Sequence, residues 1–293
     1  MAEFTTAGEY EAKMNAQIYL DTYFQLGSGS LADDFIRFAL RKLHEVFSSG
    51  AVKGSTLIDV GTAPSIYQLL SSCEAFDDIT ATWFTQSELR LLQKWQNKEP
   101  DAFDWTSILT YVCELEGNKV TPAEKEEKLR GKIKRVSHCD VGKGNPLAPA
   151  EAPKADCVTA TVCLEAACKS FESYGLALRH LANLLKPKGY LLLAGDLGAN
   201  YYEVGAEKVF SLPVNEKFLR EALSGNGYHI VELETRPVRE DRLVGGARRT
   251  EPEERDCFLA TKKQNFIKDT NVTKQSARPV RFSISQQCVC PGM

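Results

Sequence analysis

Short apolar runs alternating with longer amphipathic stretches predict a doubly wound α/β fold with a largely parallel sheet. The runs have strand length, and the stretches between them carry apolar residues at helical spacing. Connections of that size are the crossovers that parallel neighbours need, and the helices they form cover both faces of the sheet. The 293 residues are 43% hydrophobic and 26% charged, ordinary proportions for a globular chain able to bury a core.

The first element is a helix: Phe35, Ile36, Ala39, Leu40, Leu43, Val46 and Phe47 recur on one face, and Gly50 stops it. Thr56 to Val60 reads as the first strand, which breaks into the turn GTAP. The sequence resumes as a helix, IYQLLSSCEAF. A second cycle follows, with a strand at Ile79 to Phe84 and a helix face marked by Leu89, Leu92 and Trp95. Further strands are expected at Lys134 to Cys139, Asp156 to Val162 and Gly189 to Ala194, and a helix at Tyr174 to Leu185. After a helix at Phe218 to Leu223, the strands Tyr228 to Glu234 and Cys257 to Thr261 flank a charged loop and make an antiparallel hairpin at the sheet edge. Residues from Gln264 onward are polar and aperiodic, and read as a mobile tail.

Charge and composition exclude several functions. Thirty-six basic residues against 39 acidic ones lack the cationic excess of a phosphate-backbone binder, so no nucleic-acid partner is expected. The tail carries four basic residues and one acidic, which leaves the body before it at −6. No apolar run approaches the roughly 18 residues of a membrane span. The opening MAEFTTAGEYEAKMNAQ has neither a basic nor an apolar signal region, so the expected address is the cytoplasm. Nine scattered cysteines read as reduced thiols, with only Cys288 and Cys290 close together. The four histidines show no metal-ligand spacing, and no metal is expected.

The turn after the first strand is the informative place, because ligands of α/β sheets bind beyond the carboxyl ends of the strands. Asp59 and Gly61 stand there. Gly61 and Ala63 are small enough for close backbone approach, and Ser65 can cap a helix or donate to an anion. A strand, a glycine and a helix also occur in many folds without any ligand.

Ordered motifs carry more. LIDVGTAPSIYQLLSSCEAF (57–76), KWQNKEPDAFDW (94–105), YVCELEGN (111–118), KRVSHCDV (134–141), CLEAAC (163–168) and LLKPKGYLLL (184–193) resemble the small-amine N-methyltransferases, which act on nicotinamide, phenylethanolamine or indolethylamine. The resemblance runs from about Tyr10 to Lys262 and leaves the tail unmatched. It implies a class I S-adenosylmethionine-dependent methyltransferase: a Rossmann-like, seven-stranded, mostly parallel sheet with an antiparallel last strand. Residues 1–50 would form a helical cap, 51–263 the core of the same single domain, and 264–293 a disordered tail.

Carried over by position, the resemblance places Gly61 and Ala63 along the methionine and ribose of S-adenosylmethionine, with Ser65 and Tyr67 beside its carboxylate. Asp140 and Val141 would flank the adenine, and Thr161 joins the cofactor contacts. Tyr19, Tyr23 or Phe24, and Tyr202 would close aromatic faces on cofactor and substrate; such faces stabilise a sulfonium cation. Glu165 matches the acid that holds the substrate ammonium and relays its proton. Tyr19, Ala199, Tyr202, Ser211 and Glu253 complete the expected substrate side.

Three positions depart from the family pattern. Ala63 replaces a second glycine. Trp83, followed by Phe84, stands where an acidic residue reaches the ribose hydroxyls, and Glu88 is the expected replacement, the other reading being a solvated first-turn carboxylate. Gly195 replaces the aspartate of the nicotinamide enzymes at the end of the fifth strand, with Asp196 one place later and turned to the other face. The expected activity is therefore methylation of a small amine of arylalkylamine or indolethylamine type rather than nicotinamide, by a monomer that releases S-adenosylhomocysteine. The second reading is a weak or inactive relative that keeps the fold and binds through its pocket or tail.

Overall fold

A computed structural model describes residues 2–27, 30–150, 153–237 and 255–263. Three helices come first: α1 (Ala7–Glu11), α2 (Ala16–Tyr23) and α3 (Leu31–Ser48). Then strand and helix alternate as β1 (Thr56–Val60), β2 (Asp78–Trp83), α4 (Gln86–Gln96), α5 (Thr106–Leu115), α6 (Pro122–Lys132), β3 (Ile133–His138), β4 (Ala155–Thr161), α7 (Leu164–Ala167), α8 (Phe171–Leu184) and β5 (Leu185–Leu197). A small hairpin, β6 (Tyr201–Val204) and β7 (Glu207–Phe210), precedes α9 (Glu216–Gly225), β8 (Tyr228–Pro237) and β9 (Arg255–Lys263).

The main sheet has the order β3-β2-β1-β4-β5-β9-β8. Its first five strands are parallel, whereas β9 runs antiparallel to both β5 and β8. Period-two alternation splits the strands between two cores. Leu57, Cys157, Leu192 and Ala194 face one core, which α3 covers with Ile36, Leu40 and Leu43. Ile58, Val60, Val158, Ala160, Leu191 and Leu193 face the other, covered by Leu178 and Leu181 of α8. Burial on both faces explains why these strands read as continuous apolar runs.

The strand order reverses at β1, whose neighbours are β2 on one side and β4 on the other. Connections therefore leave β1 and β4 in opposite directions and open a crevice beyond their carboxyl ends.

One expected helix is absent. Residues 66–76 form two 3-10 turns, Tyr67–Leu69 and Ser72–Glu74, instead of an α-helix. Gln68 is fully buried there and committed to side-chain bonds, and the Ser72 hydroxyl donates to the Leu69 carbonyl at 2.9 Å. Such local bonds compete with the helical ladder. The hairpin β6–β7 has no counterpart among the expected elements. No helix among the described residues is long and apolar enough to cross a membrane. The charged loop expected after β8 (238–254) and the tail (264–293) lie outside the described residues.

Candidate functional site

A cleft lies over the carboxyl ends of β1, β2 and β4, where an α/β sheet binds its ligands. Gly61 opens its floor with φ +75°, a left-handed conformation suited to glycine. A Cβ on Gly61 would stand 2.7 Å from the Cβ of Cys163. The turn is pinned by backbone and hydroxyl bonds to β2. The Gly61 N–H donates to Thr82 Oγ1 at 2.9 Å, the Ala63 N–H to the Thr82 carbonyl at 3.0 Å, and the Thr82 N–H to Thr62 Oγ1 at 3.0 Å. Ala63 lacks the positive φ of Gly61, so its methyl group takes cavity space without straining the backbone.

Asp59 supports this turn from below and does not line the cleft. It is fully buried, accepts from Gln68 Nε2 at 3.0 Å and from the Thr159 hydroxyl, and burial pushes its carboxyl up to about 6. Gln68 also donates to the Thr62 carbonyl at 3.1 Å and accepts from Ser65 Oγ at 3.1 Å. Ser65 thus has a wall on the cleft and a hydroxyl tied into the scaffold.

Most of the expected cofactor residues share the cleft: Tyr19, Gly61, Ala63, Ser65, Trp83, Phe84, Glu88, Asp140, Val141 and Thr161. Three do not line it. Tyr23 donates its hydroxyl to the Glu203 carbonyl at 2.7 Å, away from the cavity. Phe24 is buried in the core against Tyr67 and Trp105, with both ring centroids at 5.4 Å. Tyr67 is likewise buried behind the wall, with its hydroxyl close to Thr161.

Asp140 bends the chain after β3: its Oδ1 accepts from the Gly142 N–H at 2.9 Å, and Lys143 Nζ stands 3.6 Å from Oδ2. The cleft edge at the end of β2 is aromatic. The Trp83 ring meets His138 at 4.8 Å, and Phe84 lies 6.1 Å from His138 and 6.2 Å from Tyr10. Glu88 is not a solvated carboxylate. It is 4% exposed, and its Oε2 closes the α4 capping box by accepting from the N–H groups of Phe84 at 3.2 Å and Thr85 at 3.0 Å. Burial pushes its carboxyl up to about 7, against those bonds.

The opposite rim is built by side chains from distant segments. Tyr19 of α2 and Tyr202 of β6 both line the cleft with centroids 6.3 Å apart, and the hydroxyls of Tyr202 and Tyr10 are 3.3 Å apart. An N-terminal strap crosses α7. The Thr5 hydroxyl donates to the Ala166 carbonyl at 2.7 Å, the Thr5 N–H to the Ala167 carbonyl at 2.9 Å, and Lys169 pairs with Glu9 at 2.8 Å. That strap puts Phe4, Thr5, Tyr10 and Met14 on the cleft wall. Nothing in the sequence around these residues marked them, because each is isolated from the motifs.

Glu165 is the second residue of α7, the single helical turn that follows β4. Its neighbours Cys163, Ala166 and Ala167 line the cleft, while its own carboxylate turns toward β5 and α8, where Oε1 accepts from the Tyr174 hydroxyl at 3.3 Å. Burial, and then the charge of Asp196, push this carboxyl up to about 7. The Glu165 carbonyl accepts from the Leu212 N–H at 2.8 Å, and the Ser211 N–H donates to the Asn200 carbonyl at 3.1 Å. These backbone bonds gather Glu165, Ser211 and Ala199, the last two buried, into one neighbourhood beside the cleft without placing them on its wall. Glu253 lies outside the described residues. Among the described residues no three His, Cys, Asp or Glu side chains could hold a metal ion together.

Comparison with known proteins agrees with this geometry. A profile of the NNMT/PNMT/TEMT family matches residues 2–247. Nicotinamide N-methyltransferase of Homo sapiens is 44% identical over 228 residues, which cover 78% of this chain and 86% of that protein. Indolethylamine N-methyltransferase of Oryctolagus cuniculus is 39% identical over 262 residues, covering 89% and 97%. Among solved structures, magnesium protoporphyrin IX methyltransferase from Synechocystis PCC 6803 with bound SAM shares the fold, at a TM-score of 0.51 and 13% identity over 87% of this chain and 94% of that one. A strand-end turn built for close ligand approach, a matched profile and relatives of this similarity lead to one conclusion: the chain belongs to the NNMT/PNMT/TEMT family of S-adenosylmethionine-dependent methyltransferases.

Proposed function

We propose that the protein transfers a methyl group from S-adenosylmethionine to the nitrogen of a small amine, of arylalkylamine or indolethylamine type in preference to nicotinamide, and releases S-adenosylhomocysteine. The observation that carries this reading is the Glu165 carboxyl, held at about 7 beside an aromatic cleft. Rabbit indolethylamine N-methyltransferase, matched over 97% of its length, supports the amine class, and Gly195 in place of the nicotinamide enzymes' aspartate argues against nicotinamide.

When bound, the cofactor supplies a methyl group already activated on a positively charged sulfur. The chain has to position, dehydrate and deprotonate. The Gly61 turn and Ser65 suit the amino-acid end, and Asp140 and Val141 suit the adenine. Tyr10, Tyr19 and Tyr202 exclude water from the reaction centre and offer aromatic faces to a cation. Glu165 holds the substrate ammonium, accepts its proton at the carboxylate and leaves a neutral nitrogen to attack. A carboxyl near 7 is matched to that exchange at neutral pH. The working unit in this reading is a cytoplasmic monomer of residues 1–263, with residues 1–50 as its cap.

Replacing Glu165 by Gln should lower turnover of an arylalkylamine by about 100-fold or more, with calorimetric affinity for S-adenosylhomocysteine unchanged. Unchanged turnover would remove Glu165 from this role. Trp83, where an acid would meet the ribose, favours a second reading: a relative that binds without catalysis. No heat of binding at millimolar S-adenosylmethionine would exclude the enzyme and leave that reading.

A further inference from the structure

Gly195 lies near the carboxyl end of β5, beside α7. A side chain built there would place its Cβ 2.9 Å from Glu165 Oε1, 3.2 Å from its Cδ and 3.4 Å from Oε2. The whole carboxylate therefore fills volume that the first side-chain carbon of any other residue would claim. Backbone conformation does not demand the glycine, since Gly195 is absent from the residues with positive φ. The close neighbours are also the flexible end of a side chain and not backbone, so a substitution would displace the acid before it disturbed the sheet.

We infer that Gly195 is a specificity-determining residue: its missing side chain forms the recess that seats the Glu165 carboxylate and presents a single long acid to the substrate nitrogen. This rests on the amine-transfer reading above. The surroundings of the recess fit a singly charged ammonium with an apolar body. Asp196 follows on the same strand and adds negative charge, while the Tyr174 hydroxyl of α8 donates to Oε1. The Cys163 and Cys168 thiols flanking α7 are held neutral by burial. Ala199, close by along the chain, is buried and adds a methyl group.

The test uses the full chain and tryptamine as the amine probe. Gly195→Ala should weaken tryptamine binding to the complex with S-adenosylhomocysteine about tenfold, the size expected for displacing a contact by a fraction of an ångström. Affinity for S-adenosylhomocysteine alone should stay within about twofold, since the recess is not part of its wall. Glu165→Asp retracts the acid by one methylene, so it should cost less in the Gly195→Ala background than in the wild type, a non-additive cycle. A readout free of cofactor and amine is the infrared titration of the Glu165 carboxyl, identified by its loss in Glu165→Gln. Its midpoint should fall below about 7 in Gly195→Ala as the group is pushed out of its buried seat. An unmoved midpoint, or strictly additive substitutions, overturns the inference. If the wild type does not bind tryptamine, the amine reading fails in that form, and the midpoint alone decides on the recess.

Discussion

The turn after β1 and the rim made by the N-terminal strap, α7 and β6 face each other across one cleft, and different forces hold them. On the turn side, the Gly61 and Ala63 N–H groups and the Thr62 hydroxyl bond to β2, a buried Asp59–Gln68 pair braces the loop, and Gly61 keeps the backbone bare at the cleft floor. On the rim side, the wall is made largely of rings contributed by segments as far apart as Tyr10, Tyr19 and Tyr202, with the Glu165 carboxylate beside it. Substitution on the first side therefore strains backbone, whereas substitution on the second changes which side chains fill the wall.

The contrast can be broken most severely at Gly61. Gly61→Ala would force a Cβ into a left-handed residue and to 2.7 Å from Cys163 Cβ. The expected loss is about 2 kcal/mol of stability together with cofactor binding, read by thermal unfolding and calorimetry. An unchanged melting temperature would show that the turn is looser than its bonds imply. Trp83→Asp sharpens the contrast in the other direction. It restores an acid at the ribose edge, and affinity for S-adenosylhomocysteine should rise about tenfold, while the loss of packing against His138 lowers the melting temperature. Weaker binding would mean that the indole itself stacks on the ligand.

The smallest effect is the pH dependence of stability, to which both sides contribute. Asp59, raised to about 6, and Glu88 and Glu165, raised to about 7, keep their protons in the folded chain where the unfolded chain has lost them. Their contribution is complete below the ordinary carboxylate range and is lost as pH rises through the folded values. Asp156 and Glu9, lowered to about 2, act oppositely, but only below that ordinary range. The melting temperature should therefore fall between about pH 5 and pH 8, and Glu165→Gln should flatten part of the slope. A melting temperature that rises over that interval would contradict the protonated state of these acids.

Much of the turn side was legible in the sequence. Thr56–Val60 reads as a strand because it is buried on both faces, and Gly61 marks a break that only a permissive residue makes without strain. The Thr85 to Glu88 spacing is a capping box, yet the sequence reading left Glu88 between a ribose contact and a solvated carboxylate; burial decided that it closes the cap from inside the cleft. The helix expected over 66–76 failed because periodicity registers apolar spacing and is blind to a buried Gln68 bonded across a turn.

By itself, the sequence determined the alternation of strands and helices and the turn after β1, because each is encoded within a few neighbouring residues. Tertiary structure alone decided that Phe4, Tyr10 and Met14 reach the cleft, that Tyr23, Phe24 and Tyr67 stand behind its wall, and that Gly195 leaves room for Glu165. The physical reason is range. A capping box or a strand is settled by bonds within a few residues, whereas a wall or a recess depends on which side chains fill the same volume, and those come from positions up to some two hundred residues apart.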